Sequence, residues 1–225
     1  MPNPRNDQRD DLSSSLSLDD LPDPKRSLEL LDLAREGDDG AFEELIRRYQ
    51  DRLRRIVRVQ LGTSILRRDY DSMDIVQSTF HSALPKIRDL HPDSAAGLLQ
   101  WLSLIATNKI RDAYDRLTCE KRDVARELPI ATGQSGEGMQ LDGGGDAPSD
   151  RAMLAEIREA LDEEVSHLPE DQKRVVLLRD YCGEQWDRIA HELQREVGAA
   201  RQLHQRAWIQ LRRVMRPQLE GREKK

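Results

Sequence analysis

Three sets of side chains in this sequence have types and spacings that could do chemistry. Asp69, Asp71 and Asp74 bring three carboxylates close together, which raises a divalent-metal reading. A calcium loop opening at Asp69 requires Gly at its sixth place and Glu at its twelfth. Asp74 and Phe80 stand there, so an EF-hand is excluded. The structural alternative makes Asp71 a helix N-cap and Asp74 the third helical residue, where an acid favours the helix dipole. The second set is Asn108, Lys109, Arg111 and Arg116, an amide and three cations on the polar side of a helix, which can pair with Asp112 and Asp115 as a solvated face. The third is the helix face Arg201, Gln202, Gln205, Arg206, Arg212 and Arg213, whose Arg and Gln side chains match guanine and adenine edges in a major groove. There is no Ser/His/Asp set, no Gly-rich phosphate loop followed by Lys and no metal-spaced ligand group. No enzyme, cofactor or metal is expected.

The elements that carry these residues read as helices. In DSMDIVQSTFHSALPKI, Val76, Phe80, Ala83, Leu84 and Ile87 keep a helical period. In LLQWLSLIATNKIRDAYDRL the stripe is Leu98, Trp101, Leu102, Ile105, Ile110, Ala113, Tyr114 and Leu117, and the loop Arg88–Gly97 joins the two segments. Upstream, Ser27 is the expected N-cap of a helix that Gly37 ends in the left-handed conformation. Asp38 or Asp39 caps a long helix over about 41–61, with Phe42, Leu45, Ile46, Tyr49, Leu53, Ile56 and Val57 inward. Its other face carries Arg47, Arg48, Arg52, Arg54, Arg55 and Arg58, either solvated or set against a protein or nucleic-acid partner. Downstream, Ser149 caps a helix over about 150–166. Leu168-Pro169-Glu170 starts the next, and a short helix WDRIAHEL, the turn QREV and a final basic helix follow. Helix, tight turn and helix match helix-turn-helix organisation. The final helix buries Ala200, Leu203, Ala207, Leu211 and Val214.

With 225 residues, 37% hydrophobic and 35% charged, the chain suits two small helical domains better than one large core. Aromatics are only 4%, and β-branched runs are nearly absent, which argues against a sheet protein. The stretch ATGQSGEGMQLDGGGDAPSD has no period and reads as a tether between domains, not a packed interface. Residues 1–26 are too polar to bury and are expected to be disordered. No apolar run approaches the roughly 18 residues of a membrane span, and the N-terminus has no signal-peptide core, so a cytoplasmic protein is expected. Cys119 and Cys182 lack metal or CxxC spacing and read as reduced thiols. The net charge of −6 hides a local contrast, because residues 195–216 hold Arg195, Arg201, Arg206, Arg212, Arg213 and Arg216 against Glu196 alone.

The segment D-I-V-Q-S-T-F (74–80), followed by W-L-x-x-I-A-x-N-x-I-x-D (101–112), resembles the second conserved region of bacterial RNA polymerase sigma factors, of the small extracytoplasmic-function (ECF) type. A second, independent resemblance, to the fourth conserved region, lies in L-P-x-x-Q-x-x-V-x-x-L-R (168–179), W-x-x-I-A-x-x-L (186–193) and G-A-A-R-Q-x-x-x-R-A (198–207). The resemblance implies that Asp71, Asp74, Ile75, Gln77 and Phe80 grip the clamp coiled coil of core polymerase, with the flap as a further contact. It places the melted −10 strand on Trp101, Asn108, Lys109, Arg111 and Arg116. His91, Asp93 and Ser94 would form a pocket for a flipped-out base, whose extrusion costs a few kcal/mol. Arg201, Gln202, Gln205 and Arg206 fall on the −35-reading positions.

Two departures stand in the helix-turn-helix: Gln194 where the family turn has Gly, and Glu196 where a Ser or Thr cap is common. A positive φ at Gln194 costs roughly 1 kcal/mol. The expectation is thus an all-α protein with a disordered extension (1–26), a polymerase-binding and −10 domain (27–125), a flexible linker (126–149), a −35 domain (150–216) and a tail (217–225). Its partners would be core RNA polymerase, promoter DNA and, as a further partner, an anti-sigma factor. The rivals are a stand-alone helix-turn-helix regulator and a Mg²⁺-dependent nuclease built on the Asp69/Asp71/Asp74 cluster.

Overall fold

The computed structural model describes residues 23–62, 71–92, 94–124 and 150–220; the side chains of 118–124, 150–154 and 217–220 are outside that description. Among the described residues every regular element is helical. The elements are α1 (Pro24–Glu36), α2 (Asp39–Leu61), α3 (Ser72–Ala83), a 3₁₀ turn (Leu84–Asp89), α4 (Ala95–Val124), α5 (Asp150–Ser166), α6 (Glu170–Val176), a π-helical turn (Leu177–Tyr181), α7 (Trp186–Glu192) and α8 (Val197–Glu220).

The starts and stops follow local chemistry. α1 begins earlier than expected because Pro24 pre-sets the helical φ and the Asp23 carboxylate accepts from the Lys25 N–H at 3.0 Å. Ser27 is therefore not the cap; it is buried inside α1, and residues 24–26 are helical. Gly37 ends α1 at φ 100, in the expected left-handed conformation. Asp38 caps α2 by accepting from the Ala41 N–H at 3.0 Å. The expected single helix over 71–87 stops at Ala83, because Pro85 has no N–H to continue the ladder, and a 3₁₀ turn takes over. The expected loop 88–97 is shorter than its sequence suggested: the Ser94 hydroxyl accepts from the Gly97 N–H at 3.0 Å and α4 starts at Ala95. α8 runs past Arg216 to Glu220, into the expected tail.

α1 to α4 form one bundle around α2, whose Leu45, Tyr49, Leu53, Ile56 and Val57 are buried with Val76, Phe80, Leu98, Leu99 and Leu102. Each such side chain contributes about 1.5–3 kcal/mol, and Leu53→Ala at the centre costs about 2–5 kcal/mol. α5 to α8 form a second group in which α8 packs on α5, α6 and α7 through Ala200, Ala207, Trp208, Leu211 and Met215. Val214, expected inside, is 40% exposed, and Trp208 and Met215 take the inward positions.

The two groups touch, which the reading of a tether without a packed interface did not anticipate. α2 packs against α5, and its arginines at positions 52, 55 and 58 meet the second group. Arg52 donates from Nε to the Tyr181 carbonyl at 2.6 Å and from Nη2 to the Asp180 carbonyl at 3.2 Å. These carbonyls are available because they close the π-helical turn, where no further helical N–H follows. Arg55 donates from Nη2 to Asp162 Oδ1 at 2.9 Å, and Arg58 donates to Glu159 at 2.7 Å. Much of the basic face of α2 is thus occupied within the chain. The linker 126–149 and residues 1–22 lie outside the described residues.

Candidate nucleic-acid interface

On α3, Asp71 is the N-cap: its carboxylate accepts from the Met73 N–H at 3.1 Å and from the Ser72 hydroxyl at 3.2 Å. The Met73 N–H is the largest influence holding its carboxyl below the usual range; partial burial opposes it and the Ser72 hydroxyl adds to it. Arg54 of α2 donates to Ser72 at 3.2 Å and fixes the same corner. Asp74 and Gln77 are exposed on the outer face, while Ile75 and Phe80 are 5% and 6% exposed and belong to the core. These two position the helix and present no surface. Asp69 lies outside the described residues; among those described, no group of three or more His, Cys, Asp or Glu side chains is placed to hold a metal.

Around the loop, His91 Nε2 lies 2.9 Å from Arg35 Nη2, and Arg35 also reaches the Arg88 carbonyl at 3.4 Å. α1 therefore braces the loop, a contact no local pattern signals. Ser94 is engaged as the cap of α4, and Asp93 lies outside the described residues. On α4, Trp101, Leu104, Asn108 and Arg111 follow at i, i+3, i+7 and i+10 and share one face. Asn108 and Arg111 are exposed, Trp101 is half-buried, and Leu104 is 57% exposed. Leu104 is a residue that the sequence reading missed; the signal was its place on Asn108's face. Tyr114, expected in the apolar stripe, is 51% exposed on the outer side of α4. Lys109 is half-buried at the edge, and Arg116 is exposed, donating to the Asp112 carbonyl at 3.2 Å.

In the second group, α7, a four-residue turn and α8 make the helix-turn-helix. The turn is a Schellman closure: the Arg195 N–H donates to the Ala190 carbonyl at 2.9 Å and the Gln194 N–H to the His191 carbonyl at 3.1 Å. Gln194 sits at φ 52, the one non-glycine residue with positive φ among those described. Exposed ion pairs flank the turn, Arg195 with Asp171 and Arg174 with Glu192. Arg201, Gln202, Gln205 and Arg206 are all exposed along the first turns of α8. The Arg201 guanidinium lies 5.6 Å from the Trp186 ring centroid and that of Arg179 lies 5.0 Å from it. This cation–π stack restrains Arg201 before any ligand arrives.

α8 is oriented by Asp180, whose Oδ2 accepts from Trp208 Nε1 at 3.1 Å and lies 2.8 Å from His204 Nε2. Cys182 is buried and free, and burial, with Glu184 nearby, pushes its thiol up to about 12. The side chain of Cys119 is outside the description. Among the described residues no helix is long and apolar enough to cross a membrane.

A family model described as ECF sigma factor matches residues 25–221. The chain is 28% identical over 177 residues to the ECF RNA polymerase sigma-E factor of Haemophilus influenzae, covering 76% of this chain and 86% of that protein. It is 27% identical over 198 residues to the RNA polymerase sigma-H factor of Pseudomonas aeruginosa, covering 85% and 94%. The solved structure of CnrH in complex with the cytosolic domain of CnrY aligns with a TM-score of 0.49 at 22% identity, over 85% of this chain and 98% of that one.

Proposed function

The chain belongs to the ECF sigma factor family, and from that premise we propose that it binds core RNA polymerase and directs transcription initiation by reading −35 and −10 promoter elements. The observation that carries this reading is the coincidence of the family match over 25–221 with two separate exposed polar faces, Asn108 and Arg111 on α4 and Arg201, Gln202, Gln205 and Arg206 on α8. Asp74 and Gln77 on α3 would meet the clamp coiled coil, on a helix held in place by Ile75 and Phe80. α8 would lie in the major groove of the −35 duplex, with Arg and Gln addressing base edges. The α4 face would hold unstacked −10 bases, Trp101 and Leu104 offering apolar surface and Arg111 phosphate contact. Melting would then be driven by binding energy, with no covalent step. The domain roles are α1–α4 for polymerase and the −10 strand and α5–α8 for the −35 duplex.

Co-purification with core polymerase, followed by run-off transcription on a fragmented genomic library, tests the reading. Discrete start sites with aligned −35 and −10 sequences support it. DNA retardation without core binding replaces it with a stand-alone helix-turn-helix regulator. Asp74→Ala with Gln77→Ala is expected to weaken core binding while helix content by circular dichroism holds. Unchanged affinity removes that pair from the polymerase surface. An anti-sigma partner would be sought by pull-down from the native host.

A further inference from the structure

Of the three loop side chains that the family resemblance places around an unstacked base, His91 is the one that is both exposed and held by a specific contact. Ser94 is engaged at the Gly97 N–H, and Asp93 lies outside the described residues. The His91 ring is fixed from two sides. On one, Arg35 in the last turn of α1 places Nη2 2.9 Å from His91 Nε2. On the other, Pro92 restricts the His91 backbone to extended conformations. The same proline lies over Gly97 of α4, where an added Cβ would stand 3.5 Å from the proline Cβ.

The Arg35 contact determines where the imidazole proton sits. A guanidinium carries N–H donors and no acceptor, and it stays charged. An approach of 2.9 Å between its nitrogen and an imidazole nitrogen is a hydrogen bond only if Nε2 offers a lone pair. His91 is therefore neutral in this arrangement and bears its proton on Nδ1, since a neutral imidazole has one donor and one acceptor. Nδ1 has no partner among the described residues, so the exposed ring presents an N–H outward.

What this donor fits follows from the charges beside it. Arg35 is already committed: Nη1 donates to Asp32 Oδ1 at 3.0 Å and Nε reaches the Arg88 carbonyl at 3.4 Å. With its charge offset by Asp32 and its donors engaged, it adds little pull on a phosphate. A single neutral N–H suits a neutral acceptor, the carbonyl oxygen on a base edge. Thymine O4 and guanine O6 are such oxygens, whereas cytosine and adenine carry an amino group at the same place. Facing that amine, the Nδ1–H and the base N–H would both go unpaired.

We infer that Arg35 is a positioning residue that holds His91 as its Nδ1–H tautomer, and that the loop thereby selects a keto base, thymine or guanine, as the unstacked base of the −10 element. The selection rests on the promoter-reading function proposed above; the tautomer does not. Long-range proton–nitrogen correlation spectra of the full chain, isotope-labelled at histidine, read the tautomer at mildly alkaline pH without polymerase or DNA. Of the five imidazoles, His91 is the one absent from the spectrum of His91→Gln. A protonated Nδ1 and a bare Nε2 are expected in the wild type and in Arg35→Lys, which keeps a cationic donor. Arg35→Glu turns the partner into an acceptor and should move the proton to Nε2. Arg35→Met, which removes the donor without adding a charge, replaces it if helix content falls, and should leave both tautomers populated.

Retention of single-stranded −10 oligonucleotides by the holoenzyme, with the bases varied in turn, reads the selection. At one position the wild type and Arg35→Lys should prefer thymine over cytosine, or guanine over adenine, by roughly tenfold. Arg35→Glu should shrink that preference to within about twofold. A wild-type Nε2 that carries the proton overturns the positioning role. A wild type without keto preference at any −10 position overturns the selection. So does a loss in Arg35→Glu that is equal for all four bases, which marks a phosphate contact. A chain that fails to bind core polymerase defeats the sigma reading and the selection with it, while the spectra still decide the tautomer.

Discussion

Trp208 Nε1 on α8 donates to Asp180 Oδ2 at 3.1 Å, and the carbonyl of the same Asp180 accepts from Arg52 on α2 at 3.2 Å. One residue thus orients α8 through its side chain and meets the first helical group through its backbone. Asp180→Ala leaves the indole N–H and the His204 ring without their carboxylate acceptor in a part-buried site. A loss of about 1–3 kcal/mol follows, or roughly 3–10 °C in Tm for a chain of this size. Differential scanning calorimetry measures it, and retention of a −35 duplex should fall with the loss of α8 orientation.

Gln194 holds a conformation that glycine adopts freely. Gln194→Gly should stabilise the protein by about 1 kcal/mol, seen as a higher urea midpoint at unchanged slope. Gln194→Val, β-branched in a left-handed position, should lower the midpoint by at least as much. Equal midpoints for all three proteins would show that position 194 carries no such strain.

Removing the α3 cap by Asp71→Ala should cost about 1 kcal/mol at neutral pH. The folded carboxyl is held below its ordinary value of 3.8, so its contribution is complete above that value and is lost as pH falls through the lower folded one. The stability gap between the wild type and Asp71→Ala should therefore narrow below pH 3.8, measured by chemical denaturation at stepped pH.

At the alkaline end the sign reverses. Burial, with Asp162 beside it, raises the Tyr181 hydroxyl well above its ordinary 10.0, and burial lifts Cys182 from 9.0 to about 12. Both groups are protonated when folded, so their contribution is full below the ordinary values and lost as pH climbs toward the folded ones. Stability should decline from about pH 9 upward, and tyrosinate absorbance should show Tyr181 ionising only with unfolding. In a Cys119→Ser background, a thiol reagent should label Cys182 on the unfolding timescale and no faster.

Arg201→Ala and Arg213→Ala should separate base reading from phosphate contact. Loss of Arg201 should cost about 1–3 kcal/mol in −35 binding and relax preference at one position, while loss of Arg213 weakens all sequences alike and lowers the salt slope by about one. Trp186→Ala should reproduce part of the Arg201 loss, because the restraint on that guanidinium goes with the ring. Fluorescence anisotropy over a salt series on variant −35 duplexes distinguishes these outcomes.

Local chemistry made much of this protein legible from its residues alone. The periods of α2, α4 and α8, the caps at Asp38 and Asp71, the left-handed close at Gly37 and the strained Gln194 all depend on neighbours within one or two turns. A 3.6-residue repeat or an N-cap carboxylate acts over that range, so the all-α fold and the helix-turn-helix could be read directly. The two motif sets likewise lie on contiguous segments, which is why the family was visible before any coordinates.

What only the tertiary structure decided are contacts between distant segments. Whether the α2 arginines were solvated or partnered could not be read locally, because Arg52 meets Tyr181 across 129 positions and Arg55 meets Asp162 across 107. An arginine on an amphipathic helix has the same local pattern in water as in a buried ion pair. The same limit hid the bracing of His91 by Arg35 and the exposure of Tyr114 and Val214. The family resemblance put Ile75 and Phe80 among the polymerase-gripping residues, whereas the packing of α3 on α2 and α4 turns both inward. Periodicity says which residues share a face of a helix; which face meets another helix is settled by the packing of the whole chain.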